Sequence, residues 1–258
     1  MASEAYGLGF DVPICLWHKR VMLRLKQQIL QLYSRAAQLP VDPLLRYEWS
    51  RRDKRRVNER PIEYPFALTC LSELCPSSVL DVGPGTSAWP QLLANCGYNV
   101  TAVDEGDSYW GRRPTNRHHY VLRDDITAPS IEGDFDAITC LSVIEHIPDH
   151  RAAARGLRSL LREGGHAILS FPYDERRFIE NVYALPGVSY GPDAAYICRV
   201  YSRPEVQGWL AQGFEIVRQE YYRIFTGDLW AFGERLCPPV KTGPDEPHHL
   251  TCLLLRAI

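Results

Sequence analysis

The sequence is short of several things, and each shortage excludes something. No apolar run approaches the ~20 residues a membrane-spanning helix needs. The start of the chain lacks the basic-then-apolar pattern of a secretion signal. The expectation is a cytoplasmic protein with no membrane partner. There is no basic excess either: 29 Lys and Arg stand against 31 Asp and Glu, a formal charge of −2. A protein that wraps DNA or RNA carries a clear positive balance, so nucleic acid is disfavoured as the partner. Eight cysteines are present, but no two have the two-residue spacing of a zinc knuckle or a thioredoxin-type site. Cys140 and Cys252 lie in apolar runs, and the thiols are expected to be reduced, buried small hydrophobes. No cysteine cluster is available for an iron–sulfur centre.

What is present is an ordinary globular composition, 45% hydrophobic and 23% charged over 258 residues. That length suits one large domain with a small appendage. Residues 1–14 read as a loose, Gly-rich arm. From Leu16 to Leu39, Met22, Leu25, Ile29, Leu32 and Ala36 recur at steps of three and four, which predicts an amphipathic helix ended by Pro40 and Pro43. The run Arg51-Arg52-Asp53-Lys54-Arg55-Arg56 is the most basic stretch. It suits an anionic group of a ligand, and equally a solvated helix face. Pro61 and Pro65 predict a break before a short helix over Phe66–Leu74.

From Ser78 strands and helices alternate, which predicts a parallel sheet covered on both faces. Strands are expected over Val79–Val82, Asn99–Val103, Tyr120–Leu122, Phe135–Leu141 and His166–Phe171. Helices are expected over Ala88–Cys96 and His150–Leu161. Pro172–Val200 has no clear period. Ser202-Arg203-Pro204-Glu205 then opens a helix with a capping box. Phe214–Phe225 and His249–Ile258 read as two antiparallel strands, with Cys237–Pro247 as a Pro/Gly-rich loop between them.

The chemistry gathers at the C-terminal ends of those strands, where open α/β sheets bind ligands. The first strand runs into Asp81-Val82-Gly83-Pro84-Gly85-Thr86-Ser87 and then a helix. Glycines there let backbone approach a ligand, and the helix start offers N–H groups. A pyrophosphate would be repelled by Asp81, whereas an ammonium group would be drawn to it. Asp104 ends the second strand, where an acid can accept both hydroxyls of a ribose. Asp125, followed by Ile126, ends the third, where a carboxylate beside an apolar side chain can hold an amino-purine. The fourth strand, Phe135–Leu141, leads into Ser142-Val143-Ile144-Glu145-His146, and four such sites in order indicate a nucleoside cofactor with a charged amino-acid tail.

These residues resemble the class I S-adenosylmethionine-dependent methyltransferases. The likeness rests on Val79-Leu80-Asp81-Val82-Gly83-Pro84-Gly85, Val103-Asp104, Asp125-Ile126, Phe135-Asp136-Ala137-Ile138, Ser142-Val143-Ile144-Glu145-His146 and Leu161-Arg162-Glu163-Gly164-Gly165. Ser87 departs from it, standing where many members have a third glycine. The resemblance implies a Rossmann-like seven-stranded α/β sheet, mostly parallel with an antiparallel last strand and helices on both faces. It implies S-adenosylmethionine as cofactor, bound by Asp81, Gly83, Pro84, Gly85, Asp104, Glu105, Asp125, Ile126 and Leu141. Residues 1–59 are then a helical extension or lid, and 60–258 the methyltransferase domain, with 172–200 capping the substrate.

An activated sulfonium leaves the protein mainly alignment and desolvation to supply, plus a base where oxygen is methylated. His146 is the candidate base, or a residue that shapes the cofactor pocket. Tyr173 and Asp174, just past the fifth strand, are expected to face the cleft. In ubiquinone-pathway and small-RNA methyltransferases a Glu-x-x-Glu-His run goes with a divalent metal. Ser142 stands where the first of those carboxylates would be, and a Glu/His pair is a poor magnesium site, so no metal is expected. Tyr183, Tyr190 and Tyr196 read as packing or lid residues, and His118 and His119 as surface loop. The activity expected is methylation of a small molecule, on oxygen of a sugar or natural-product intermediate. N- or C-methylation, a nicotinamide oxidoreductase and a non-catalytic cofactor-binding partner are the alternatives.

Overall fold

A computed structural model describes residues 14–50, 57–105, 116–192 and 194–258. The Gly-rich arm before Ile14 and the basic run Arg51–Arg56 lie outside the described residues. The chain divides into two units, Met1–Val57 and Asn58–Ile258. In the first, α1 spans Ile14–Gln38 and α2 spans Asp42–Ser50. Pro40 and Pro43 do separate two helices, because a proline in a first turn sacrifices only an N–H that has no partner there.

The second unit is built on one eight-stranded sheet. Its strands are β1 Ser78–Val82, β2 Asn99–Asp104, β3 Leu122–Arg123, β4 Phe135–Leu141, β5 Leu161–Pro172, β6 Phe214–Phe225, β7 Arg235–Thr242 and β8 Leu250–Ala257. The order is β3-β2-β1-β4-β5-β8-β6-β7. β1 to β5 pair in parallel, and β8 runs antiparallel between β5 and β6. The helices are α3 Arg60–Leu74, α4 Trp89–Asn95, α5 His150–Leu160 and α6 Arg203–Leu210.

Strand alternation sorts side chains onto two cores. Leu80, Ile138, Leu169 and Leu253 pack on one face with Leu157 of α5 and Trp209 of α6. Val79, Ala137, Ile168 and Cys252 pack on the other with Phe66 and Leu71 of α3 and Trp89 and Leu93 of α4. Asp81 shares its side of β1 with Val79, so its carboxylate turns toward the α3/α4 face.

Several expectations need correction. The sheet has eight strands, because β7 (Arg235–Thr242) runs into the segment Cys237–Pro247 that reads as a loop. It pairs only with β6, at the sheet's edge, where Pro238 and Pro239 need not donate on the open side. α3 begins at Arg60, six residues earlier than Phe66. Pro61 sits in its first turn, and Pro65 is tolerated inside at the loss of one backbone bond. β3 lies at Leu122–Arg123 and not Tyr120–Leu122. β5 begins at Leu161, before the Gly164-Gly165 pair. The capping box of Ser202 and Glu205 is present at the start of α6. Cys70, Cys140, Cys198 and Cys252 are buried, but Cys75, Cys96 and Cys237 are exposed. Among the described residues no helix is long and apolar enough to cross a membrane.

Candidate active site

The loop after β1 is fixed by conformations that glycine alone takes comfortably. Gly83 has φ +71° and Gly85 φ +53°. A Cβ on Gly83 would lie 2.5 Å from Cγ1 of Val143, so this turn packs directly on the segment after β4. A Cβ on Gly85 would meet nothing within 4 Å, so space is open beside it. The Gly83 N–H donates to Val103 O at 2.8 Å and the Gly85 N–H to Asp104 Oδ2 at 3.0 Å. Asn116 holds the loop from beyond: its amide donates to Gly85 O and Ser87 O, both at 2.9 Å. Ser87 replaces a third glycine by accepting from the Trp89 N–H as α4 begins.

Asp81 is the electrostatic centre of this loop. It is 2% exposed. Its Oδ1 accepts from Thr139 Oγ1 at 2.7 Å, and Thr139 in turn accepts from Trp89 Nε1. Its Oδ2 is buried with no partner among the described residues. Burial raises its pKa to about 7, against the lowering effect of Thr139 and Arg60. A buried, half-satisfied carboxylate is costly. It fits a ligand that brings an ammonium group, and it disfavours a pyrophosphate. The donor set therefore suits the amino-acid end of S-adenosylmethionine.

Asp104 ends β2, with one oxygen already bound to the loop. Glu105 follows it and is exposed. Past β3, two adjacent acids divide the work. Asp124 is structural, accepting from Ser130, Ile131 and the Asp125 N–H, and these bonds hold its pKa low despite partial burial. Asp125 stays exposed and accepts from the N–H and hydroxyl of Thr127 at 2.8 Å. Ile126 is buried in the core. A Cβ on Gly156 of α5 would fall 1.8 Å from Ile126 O, so only glycine lets α5 pass this loop.

After β4 the chain makes a strained turn. Ser142 has φ +51°, costly for a residue with a Cβ. Glu63 of α3, fully buried, stabilises it by accepting from the hydroxyls of Ser142 and Ser170. Arg60 pairs with Glu63 and also donates to Leu141 O at 3.3 Å. Burial works against the Arg60 charge, but Glu63 and Tyr64 outweigh it and hold its pKa high. Leu141 is buried and contributes that carbonyl.

His146 lies in a short turn of 3₁₀ helix, Ile144–His146. Its Nδ1 lies 2.7 Å from Ile197 O. Burial lowers its pKa to about 4, so at neutral pH the ring is uncharged, Nδ1–H donates to that carbonyl, and Nε2 is the unprotonated nitrogen. Tyr196 meets the ring edge-on at 5.1 Å. Glu145 is 3% exposed, with Oε1 3.6 Å from His146 Nε2 and Oε2 buried without a partner among the described residues. Among the described residues no cluster of three metal-ligating side chains forms.

Tyr173 is placed differently from expectation. It is fully buried, because β5 runs on to Pro172 and Tyr173 bridges to Tyr201. Its hydroxyl donates to Glu175 and its ring stacks on His248, so it packs in the core and does not line an open cleft. Asp174 is taken up by Arg177. Glu63, Arg60 and Asn116 went unseen as site residues in the sequence. Only the Ser142 and glycine conformations reveal what they hold.

The chain matches a family model described as a methyltransferase domain over residues 29–219. A ubiquinone biosynthesis O-methyltransferase of Xanthomonas euvesicatoria pv. vesicatoria is 32% identical over 117 residues, 43% of this chain and 48% of the relative. The protein of that same description from Alkalilimnicola ehrlichii is 29% identical over 119 residues, 43% and 47%. The chain thus spans about half the length of the curated relatives it matches. Among solved structures, the 1,6-didemethyltoxoflavin-N1-methyltransferase of Burkholderia thailandensis is 18% identical, covering 87% of this chain and 89% of that one, with a TM-score of 0.49. An S-adenosylmethionine-dependent methyltransferase of Clostridium acetobutylicum is 14% identical, covering 84% and 99%, with a TM-score of 0.48.

Proposed function

The chain belongs to the methyltransferase-domain family, whose methyl donor is S-adenosylmethionine, and from that premise we propose that it methylates an oxygen of a small-molecule acceptor, a sugar or natural-product intermediate. The observation that carries the reading is the buried, unpartnered Oδ2 of Asp81 at the head of a glycine turn. Asp104, at the end of β2, and Asp125, past β3, supply carboxylates where the ribose and the adenine amine would lie. The two O-methyltransferase relatives favour oxygen as the acceptor atom.

The cofactor supplies a sulfonium-bound methyl group that is already activated. The chain's own part is positional. Asp81 pairs with the ammonium group, and the Gly83–Gly85 turn brings backbone close. Glu63 and Arg60 hold the Ser142 turn, which carries His146 forward. An imidazole that is neutral at pH 7 accepts a hydrogen bond from an acceptor hydroxyl and orients its lone pair.

The test is thermal unfolding of the protein with S-adenosylhomocysteine and, separately, with NAD. S-adenosylhomocysteine should raise the unfolding temperature and NAD should leave it unchanged. A rise with NAD alone would overturn the proposal in favour of an oxidoreductase.

A further inference from the structure

Helix α1 carries an apolar face that no described residue of its own unit covers. Met22, Leu25, Ile29 and Leu32 recur at steps of three and four, which sets them on one side of the helix. They are 49–65% exposed. Leu23 and Leu30, also exposed, widen the apolar arc past Lys26. Gln27, Gln31 and Gln38 fall on the opposite side, with Arg24 and Arg35 between the two. A helix gains most of its stability by burying such a face, so this one calls for an occupant.

Charge identifies the occupant. The sequence of α1 holds Lys19, Arg20, Arg24, Lys26 and Arg35, and no Asp or Glu. Across Met1–Val57 eleven Lys and Arg stand against five Asp and Glu, whereas Asn58–Ile258 has eighteen against twenty-six. The near-neutral total therefore hides a basic first unit. A second copy of α1 would set cation against cation. A nucleic-acid strand would match the cations and leave the leucines in water. The seam that a single partner helix fills is narrower than this arc. An anionic lipid surface meets both needs at once. Acyl chains cover the leucines, and Lys and Arg at the borders of the arc reach the headgroup phosphates.

We propose that α1 lies along an anionic phospholipid surface, with its Met22–Leu32 face among the upper acyl chains and its cations at the headgroups. The expectation of no membrane partner rests on the want of a spanning helix. A helix that lies in the surface needs no such apolar run, only one apolar side and a cationic border. At about 1.5 Å per residue the 25 residues of α1 extend about 37 Å along that surface. The proposal stands independently of the methyltransferase reading, since it draws on the first unit alone.

The experiment is co-flotation of the full chain with two kinds of vesicle, phosphatidylcholine alone and phosphatidylcholine mixed with phosphatidylglycerol. The mixed vesicles should bind about a hundredfold more tightly, the scale of several cations at a charged surface. Salt at about 1 M, which shortens the screening length to about 3 Å, should remove most of that difference. Leu25→Ser combined with Ile29→Ser keeps the charge and should weaken binding about tenfold or more. Arg24→Gln combined with Lys26→Gln keeps the apolar face, should also weaken binding about tenfold or more, and serves where the serine variant folds poorly. Gln27→Ser combined with Gln31→Ser, on the far side of the helix, should bind as the wild type does. No flotation with either vesicle, equal flotation with both, or full binding by the serine variant would overturn the proposal. So would a dimer in sedimentation equilibrium that the serine variant dissociates, since the face would then belong to a second copy.

Discussion

Replacing Asp81 with asparagine should stabilise the protein without ligand and weaken its hold on the cofactor. Asp81 titrates near 7 instead of 3.8 because burial penalises its charge. The favourable contribution of its neutral form is fully present below the unfolded pKa of 3.8 and is lost as pH rises through about 7. A shift of that size corresponds to at most about 4 kcal/mol, so about 2–4 kcal/mol is expected at pH 8. Asparagine has the same shape and no charge to bury, so it avoids that cost. It also has no charge for an ammonium group, and cofactor affinity should fall about tenfold or more. The assay is urea unfolding of both proteins at pH 8 and pH 5, with calorimetric titration of S-adenosylhomocysteine at pH 8. The Asp81→Asn advantage should be clear at pH 8 and shrink toward pH 5. A variant less stable than wild type at pH 8, or one that binds S-adenosylhomocysteine unchanged, would refute the reasoning.

Two further predictions follow from the site. Gly83→Ala should cost about 1–3 kcal/mol in urea unfolding, since the left-handed conformation and a 2.5 Å approach to Val143 act together. Gly85→Ala should cost only about 1 kcal/mol, because the space there is open; equal costs would show that Val143 does not police the turn. The His146 ring should stay neutral down to about pH 5 by nuclear magnetic resonance, given a pKa lowered to about 4, and a titration midpoint near 6.5 would place the ring in solvent.

The glycine turn after β1 and the strand ends were legible in the sequence because their signals are local. Asp81, Gly83 and Gly85 fall within one turn, and Asp104 and Asp125 each mark the end of a strand or the turn just past one. The supports were not legible, because they act between distant positions. Glu63 reaches Ser142 across 79 residues, and Arg60 reaches the Leu141 carbonyl across 81. No periodicity couples such residues. Pro61 and Pro65 also disguised the helix that carries them, and Pro238 and Pro239 disguised β7. Tyr173 was misjudged for a related reason. Strand β5 extends further than its apolar pattern, and the bridge to Tyr201 draws the ring inward.

Asp81, buried with Oδ2 unpartnered among the described residues, awaits an ammonium group. A crystal structure of the protein with S-adenosylhomocysteine measures this most directly. The ligand's amino nitrogen should lie within about 3.2 Å of Asp81 Oδ2, with the ribose at Asp104 and the adenine amine at Asp125. A ligand bound elsewhere, or one that leaves Asp81 Oδ2 still without a partner, would contradict the account.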